Sequence, residues 1–195
     1  MRRTIVVGIL VLGACAHGRP VAVMDRGIYS AAIATSLPDE MGRPIIISEE
    51  VIPFPRRDES TVFDLTGSFE FDRPPEWRWT DAPTALLRAI ARQPATERTL
   101  FTAAVFPSNA RIVPNAEISR TLSSPANWDH FTEHFHATSW LAFSKALVTH
   151  NSHDAVMYYE HRCGNLCADG GYLWLHRASL SSPWVRRSRA IVWMS

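Results

Sequence analysis

Lysine is almost missing from this chain: Lys145 is the lone lysine, and arginine supplies the rest of the 20 basic residues. That skew reflects a GC-rich coding bias as readily as any chemistry. An excess of either charge is missing too. Nineteen acidic residues leave a formal net charge of +1, so there is no basic field of the kind nucleic-acid binding requires. Beyond the first 12 residues no apolar run approaches the roughly 20 residues that span a bilayer core. No Gly-x-Ser-x-Gly nucleophile elbow occurs, and no Gly-x-x-x-x-Gly-Lys phosphate loop. Cysteine is scarce, with three in 195 residues.

What is present begins at the amino terminus. Arg2 and Arg3 precede the run IVVGILVLGAC, residues 5–15. The arginines stay cytoplasmic under the positive-inside bias, and Ile5 to Leu12 is too short to cross a membrane, so the segment reads as a signal h-region. Gly13 and Ala14 are small enough for a peptidase pocket, and Cys15 follows directly. Leu12-Gly13-Ala14-Cys15 resembles the lipobox of bacterial lipoproteins. The resemblance implies diacylglyceryl transfer to the Cys15 sulfur, cleavage before it, and further acylation of the freed amine. Two or three acyl chains give a stable anchor where one gives only reversible binding. Ala16, rather than Asp, after the cysteine implies the outer membrane, facing the periplasm. The alternative is an ordinary secretory signal with an incidental cysteine.

Residues 1–14 are therefore expected to be a lipoprotein signal peptide, 15–26 a lipidated tether, and 27–195 a single α+β domain. Removing 14 of 195 residues leaves 181, and losing Arg2 and Arg3 takes the net charge from +1 to −1. Apolar spacing predicts a helix over 26–37, a strand over 44–52 and a helix ending near Ala91. Pro53, Pro55, Pro74 and Pro75 punctuate an irregular region between them. Residues 94–115 are ambiguous, with Arg111-Ile112-Val113 extended. Helices follow from Asn115 to Leu122 and from Asn127, the second with Trp128, Phe131 and Phe135 on one core-facing side. Strands are expected over 139–148, 154–163, 171–177 and 184–194, joined at Asn151-Ser152, Gly170-Gly171 and Ser181-Ser182-Pro183. The expected fold is thus N-terminal helices with a C-terminal antiparallel β-meander of about four strands, its helices on one face.

The most specific stretch is residues 158–177. Cys163 and Cys167 flank a tight turn that brings their Cα atoms near disulfide distance. Export to an oxidising compartment, with Cys15 consumed by lipid, leaves this even pair to bridge. The loop Cys163-Gly164-Asn165-Leu166-Cys167, with Trp184-Val185 and the terminal Trp193-Met194-Ser195, resembles a scattered set of small bacterial exported proteins. The likeness covers roughly the last 80 residues. It implies a loop joining two strands and no chemistry.

Chemical alternatives attach to particular side chains. Redox exchange through Cys163 and Cys167 meets the wrong spacing and a strand context, where thiol-disulfide catalysts place Cys-x-x-Cys at a helix N-terminus. A zinc set could draw on His161, Cys163, Cys167 and His176. His130 and His134 stand at helical i, i+4 spacing with Glu133 and His136, but not in metalloprotease order. The carboxylate pairs Glu49-Glu50, Asp58-Glu59 and Glu70 to Asp72 read as surface charge. Trp77, Arg78 and Trp79 form the best candidate for an exposed binding patch, whereas Trp174 and Trp193 fit strand cores. No catalytic residue, metal or cofactor is expected. The expected partners are the membrane, through the lipid, and an unidentified protein or envelope polymer. A non-enzymatic binding or structural envelope protein leads, with a lipid-tethered enzyme (hydrolase or thiol-disulfide exchange) as its rival.

Overall fold

The computed structural model describes residues 21–36, 44–54, 84–92, 99–123 and 127–194. Its elements in chain order are β1 (Val21–Val23), α1 (Arg26–Ser36), β2 (Ile45–Ser48), α2 (Thr84–Ala91), a 3-10 turn (Ala103–Val105), β3 (Ala110–Val113), α3 (Asn115–Leu122), α4 (Asn127–Phe135), β4 (Trp140–Phe143), β5 (Ala146–Val148), β6 (Asp154–Gly164), β7 (Cys167–His176) and β8 (Val185–Met194). The class is α+β. Among these elements no helix is long and apolar enough to cross a membrane.

All eight strands form one mixed sheet. Its antiparallel half is built on β6, whose one edge takes β7 and whose other edge is shared by β4 and β5. β8 pairs antiparallel with β7. The remaining strands overturn the expectation of a simple meander. β2 runs parallel to β4 and β3 parallel to β2, while β1 lies antiparallel to β5. Parallel neighbours need long crossovers, and those crossovers lay helices against the sheet. The helices accordingly cover both faces rather than one.

On the first face α1 buries Ile28, Tyr29, Ala32 and Ile33 against Ile45, Ile47, Leu141, Phe143, Met157 and Tyr159. The 3, 4 spacing of those helix residues makes one apolar stripe. Asp25 starts the helix by accepting the Ile28 N–H at 3.1 Å, a side-chain cap. On the second face α2 packs Leu86, Leu87 and Ile90 on Val156, Tyr158 and Tyr172. There also Ile118 of α3 and Phe131 and Phe135 of α4 close over Ile46 and Val113. Trp128 packs at a tilt on Phe131 with ring centroids 5.0 Å apart, so the three aromatics of α4 share the core-facing side that their spacing predicts.

Three local readings change. Residues 16–26 were expected to be tether throughout, yet Val21–Val23 is a sheet strand. Strand 139–148 is interrupted at Ser144-Lys145, dividing β4 from β5. Gly170-Gly171 is not a connection: β7 begins at Cys167 and runs through both glycines, with the β7–β8 register shifting between them. Glycine is needed there because β8 comes too close for side chains. A Cβ on Gly170 would enter the Trp193 indole, and one on Gly171 would overlap the Ala190 carbonyl.

Candidate functional site

Among the described residues, two of the polar groupings bear most on function. The first lies on the α1 face of the sheet, where the 159↔171 and 161↔169 register aligns Tyr159, His161 and Asp169. Arg189 joins them from β8, opposite Leu173. Tyr159 donates its hydroxyl proton to Asp169 Oδ2 at 2.5 Å, and Arg189 Nε donates to the Tyr159 hydroxyl oxygen at 2.5 Å. A second Arg189 nitrogen forms an ion pair with Asp169. His161 Nδ1 stands 3.3 Å from Asp169 Oδ1.

Burial alone would raise the Asp169 carboxyl, but hydrogen bonds from His161 and Tyr159 and the Arg189 charge outweigh it and hold the group below the usual carboxylate range. Burial pushes the Tyr159 hydroxyl well above the ordinary tyrosine range despite Arg189. The carboxylate is thereby locked ionised and the phenol locked protonated. Only His161 Nε2, buried and without a hydrogen-bond partner, is left over.

The second place is a groove of about 480 Å³ between the start of α1 and the β7–β8 connection. Asp25, Gly27 and Ser30 line one wall, and Arg177, Ser182 and Trp184 the other. Arg177 is held three ways: Nε donates to the Ser152 carbonyl at 2.6 Å, Nη1 to the Leu180 carbonyl at 3.2 Å, and the guanidinium carbon sits 4.5 Å from the Trp184 ring centroid. Stacking on an indole and two backbone bonds fix the cation without neutralising it. Among the described residues no carboxylate pairs with it. The Trp184 indole N–H is buried and unpartnered, and its pyrrole edge lies against Gly27.

The residues singled out from the sequence are dispersed. Cys163 and Cys167 are bridged across the β6–β7 turn with Cα atoms 5.0 Å apart. That turn joins two strands, so the helix dipole that activates redox cysteines is missing at this loop. The zinc alternative does not assemble. His161 is held at Asp169, while His176 Nδ1 meets Asp154 Oδ1 at 3.0 Å. Asp154 and His161 are seven residues apart on β6 and so face opposite sides of the sheet. His130 and His134 have ring centroids 6.1 Å apart, but His134 turns to Glu117 at 3.2 Å. Among the described residues no group of three or more His, Cys, Asp or Glu could hold a metal.

Trp174 is buried and donates to Asp154 Oδ1 at 2.9 Å, in keeping with a core strand position. Trp193 is half-buried at the sheet margin, donating to the Tyr158 hydroxyl oxygen at 2.7 Å beside Arg162. Cys15, Trp77, Arg78 and Trp79 lie outside the described residues. Sequence reading missed Asp25, Arg177, Asp169 and Arg189. None of them belongs to a motif, and only Asp25, placed just before a helical stripe, carries a legible cap signal. No protein-family model, no curated protein and no solved structure matches this chain.

Proposed function

We propose that the protein is a lipid-anchored bacterial envelope lipoprotein, carried by acylated Cys15 and serving as a non-enzymatic binding module. The observation that carries the binding half of this reading is the contrast between the two polar sites. The Tyr159–Asp169–Arg189 cluster satisfies itself, and its acid and phenol are driven away from neutrality, the opposite of what general acid-base work at pH 7 needs. The groove at Arg177 holds a fixed cation with no carboxylate on it among the described residues.

The position of the groove suits an anchored receptor. Val21, the first residue of β1, lies six positions after Cys15, a reach of at most about 20 Å when extended. Asp25 follows β1 by two residues. A ligand in the groove would therefore lie close to the bilayer that holds the lipid, the outer membrane in the sorting logic of Ala16.

The rival reading, a tethered hydrolase or thiol-disulfide enzyme, has one observation in its favour. His161 carries an unpartnered Nε2 with its Nδ1 on a carboxylate, as a catalytic base does. That nitrogen is sealed from water, so a substrate would have to open the site to reach it.

The test is fractionation with mass measurement. The mature protein from its native host should partition into the membrane fraction, with an intact mass showing loss of residues 1–14 and acyl chains on Cys15. Cys15→Ser should release it in soluble form. Recovery of the chain from cytosol with its leader uncut overturns the reading.

A further inference from the structure

We infer that the groove between α1 and the β7–β8 connection is a binding site for a small zwitterion, an amino acid or short peptide with free ends. The inference rests on the binding-module reading and specifies its ligand class.

Arg177 supplies the cation of the groove. A guanidinium has five N–H donors in a rigid fork. Two of them are committed, to the Ser152 and Leu180 carbonyls, and the plane is stacked on Trp184. The remaining donors have no acceptor among the described residues. A cation oriented by backbone bonds and an aromatic face, yet left without a counter-charge, is preorganised for an incoming carboxylate, which the fork meets bidentately.

The opposite wall carries the complementary charge. Asp25 caps α1 through Oδ1, accepting the Ile28 N–H. A carboxylate has about four lone-pair sites, and its other oxygen, without a partner among the described residues, can accept from an ammonium. Ser30 and Ser182 add hydroxyls to the lining, and Ala31, Pro183 and the Trp184 ring supply apolar surface. One negative and one positive wall disfavour a simple anion or cation, because either would face its own sign. A molecule with both charges suits them. A volume of about 480 Å³ is within the roughly 300–1,000 Å³ of small-molecule pockets and leaves room for one or two residues of peptide.

The experiment is isothermal titration of the mature protein with dialanine as probe, alongside N-acetyl-dialanine and dialanine amide. Saturable binding of dialanine is expected, weakened at least tenfold by either blocked end. Arg177→Lys keeps the charge and loses the fork, and should weaken dialanine at least tenfold. Ala31→Trp fills the groove without touching any hydrogen bond described above, and should abolish binding while the circular dichroism spectrum is unchanged. Absence of saturable dialanine binding overturns the inference. So does equal affinity for the blocked peptides, or binding that survives Ala31→Trp. These results leave membrane partitioning of the Cys15-acylated protein untouched, so the ligand assignment and the anchored reading fail separately.

Discussion

The Tyr29 hydroxyl, on the first helix, donates to the carbonyl oxygen of Ser144 at 2.9 Å, across 115 residues of chain. That carbonyl is available because the strand breaks at Ser144-Lys145. Where β4 gives way to β5, the Ser144 N–H donates to the Tyr158 carbonyl, and the Tyr158 N–H donates to Ser144 Oγ at 2.8 Å instead of to a backbone oxygen. A side-chain hydroxyl thus completes the ladder and frees a carbonyl for the helix. Around this point the Tyr29 ring meets Phe101, Phe106 and Phe143 edge-on at 5.2–5.8 Å.

Ser144→Ala should therefore cost more than Tyr29→Phe. The first leaves the buried Tyr158 N–H without its acceptor, a loss of about 1–3 kcal/mol, whereas the second removes one hydrogen bond and keeps the ring, about 1 kcal/mol. Urea denaturation of both variants checks the order. A Tyr29→Phe loss as large as the Ser144→Ala loss would show that the hydroxyl, and not the strand repair, carries the contact.

Asp169 sets a pH dependence. Its carboxyl is held below the unfolded-state value, so the folded chain binds fewer protons than the unfolded chain in that window. The stability it contributes is complete above about pH 4 and is lost as pH falls through the lower, folded value. Asp169→Asn should cost about 2 kcal/mol or more at pH 7 by leaving Arg189 and His161 facing a neutral amide. The gap between wild type and variant should narrow below about pH 4. A gap that stays constant down to pH 2 would mean that the charge on Asp169 contributes nothing.

The Cys163–Cys167 bridge closes a five-residue ring. In the chain-entropy model that stabilises by about 2 kcal/mol, so the Cys163→Ser, Cys167→Ser double variant should remain folded with a modestly lowered thermal midpoint. Intact mass after alkylation, with and without reductant, reports the bond itself. Outright unfolding of the double variant would give the loop a larger role than its length allows.

Gly171 is the least replaceable glycine of the sheet. Gly171→Ala drives a methyl into the Ala190 carbonyl, a backbone atom that cannot rotate away. Gly170→Ala meets the Trp193 ring instead, which can swing out if it gives up Tyr158. Chemical denaturation should find Gly171→Ala the costlier, by about 1–3 kcal/mol over wild type. The tryptophan emission should shift only for Gly170→Ala.

Most of the elements were legible in the order of residues. The stripe of α1 and the aromatics of α4 repeat the helical period, because facing one side is a local property, while β6, buried on both faces over Ala155 to Tyr159, reads as a short apolar and aromatic run. The cysteine pair was legible for the same reason: four residues and a turn suffice to bring them together. The proximity of Gly170 and Gly171 to β8 was not, since two glycines after a turn look alike whether they end a strand or admit a neighbour.

Partners far apart in the chain were out of reach of such patterns. Nothing in Ile45-Ile46-Ile47 names β3 and β4 as its parallel neighbours, and nothing local divides the helices between two faces. His161 and His176 look like one ligand set until the register sends them to opposite sides, one to Asp169 and the other to Asp154. Asp25 and Arg177 share a groove across 152 positions. Side-chain periodicity is written residue by residue, but which strand edges meet depends on closing long loops against the whole core, and that balance exists only in the assembled fold.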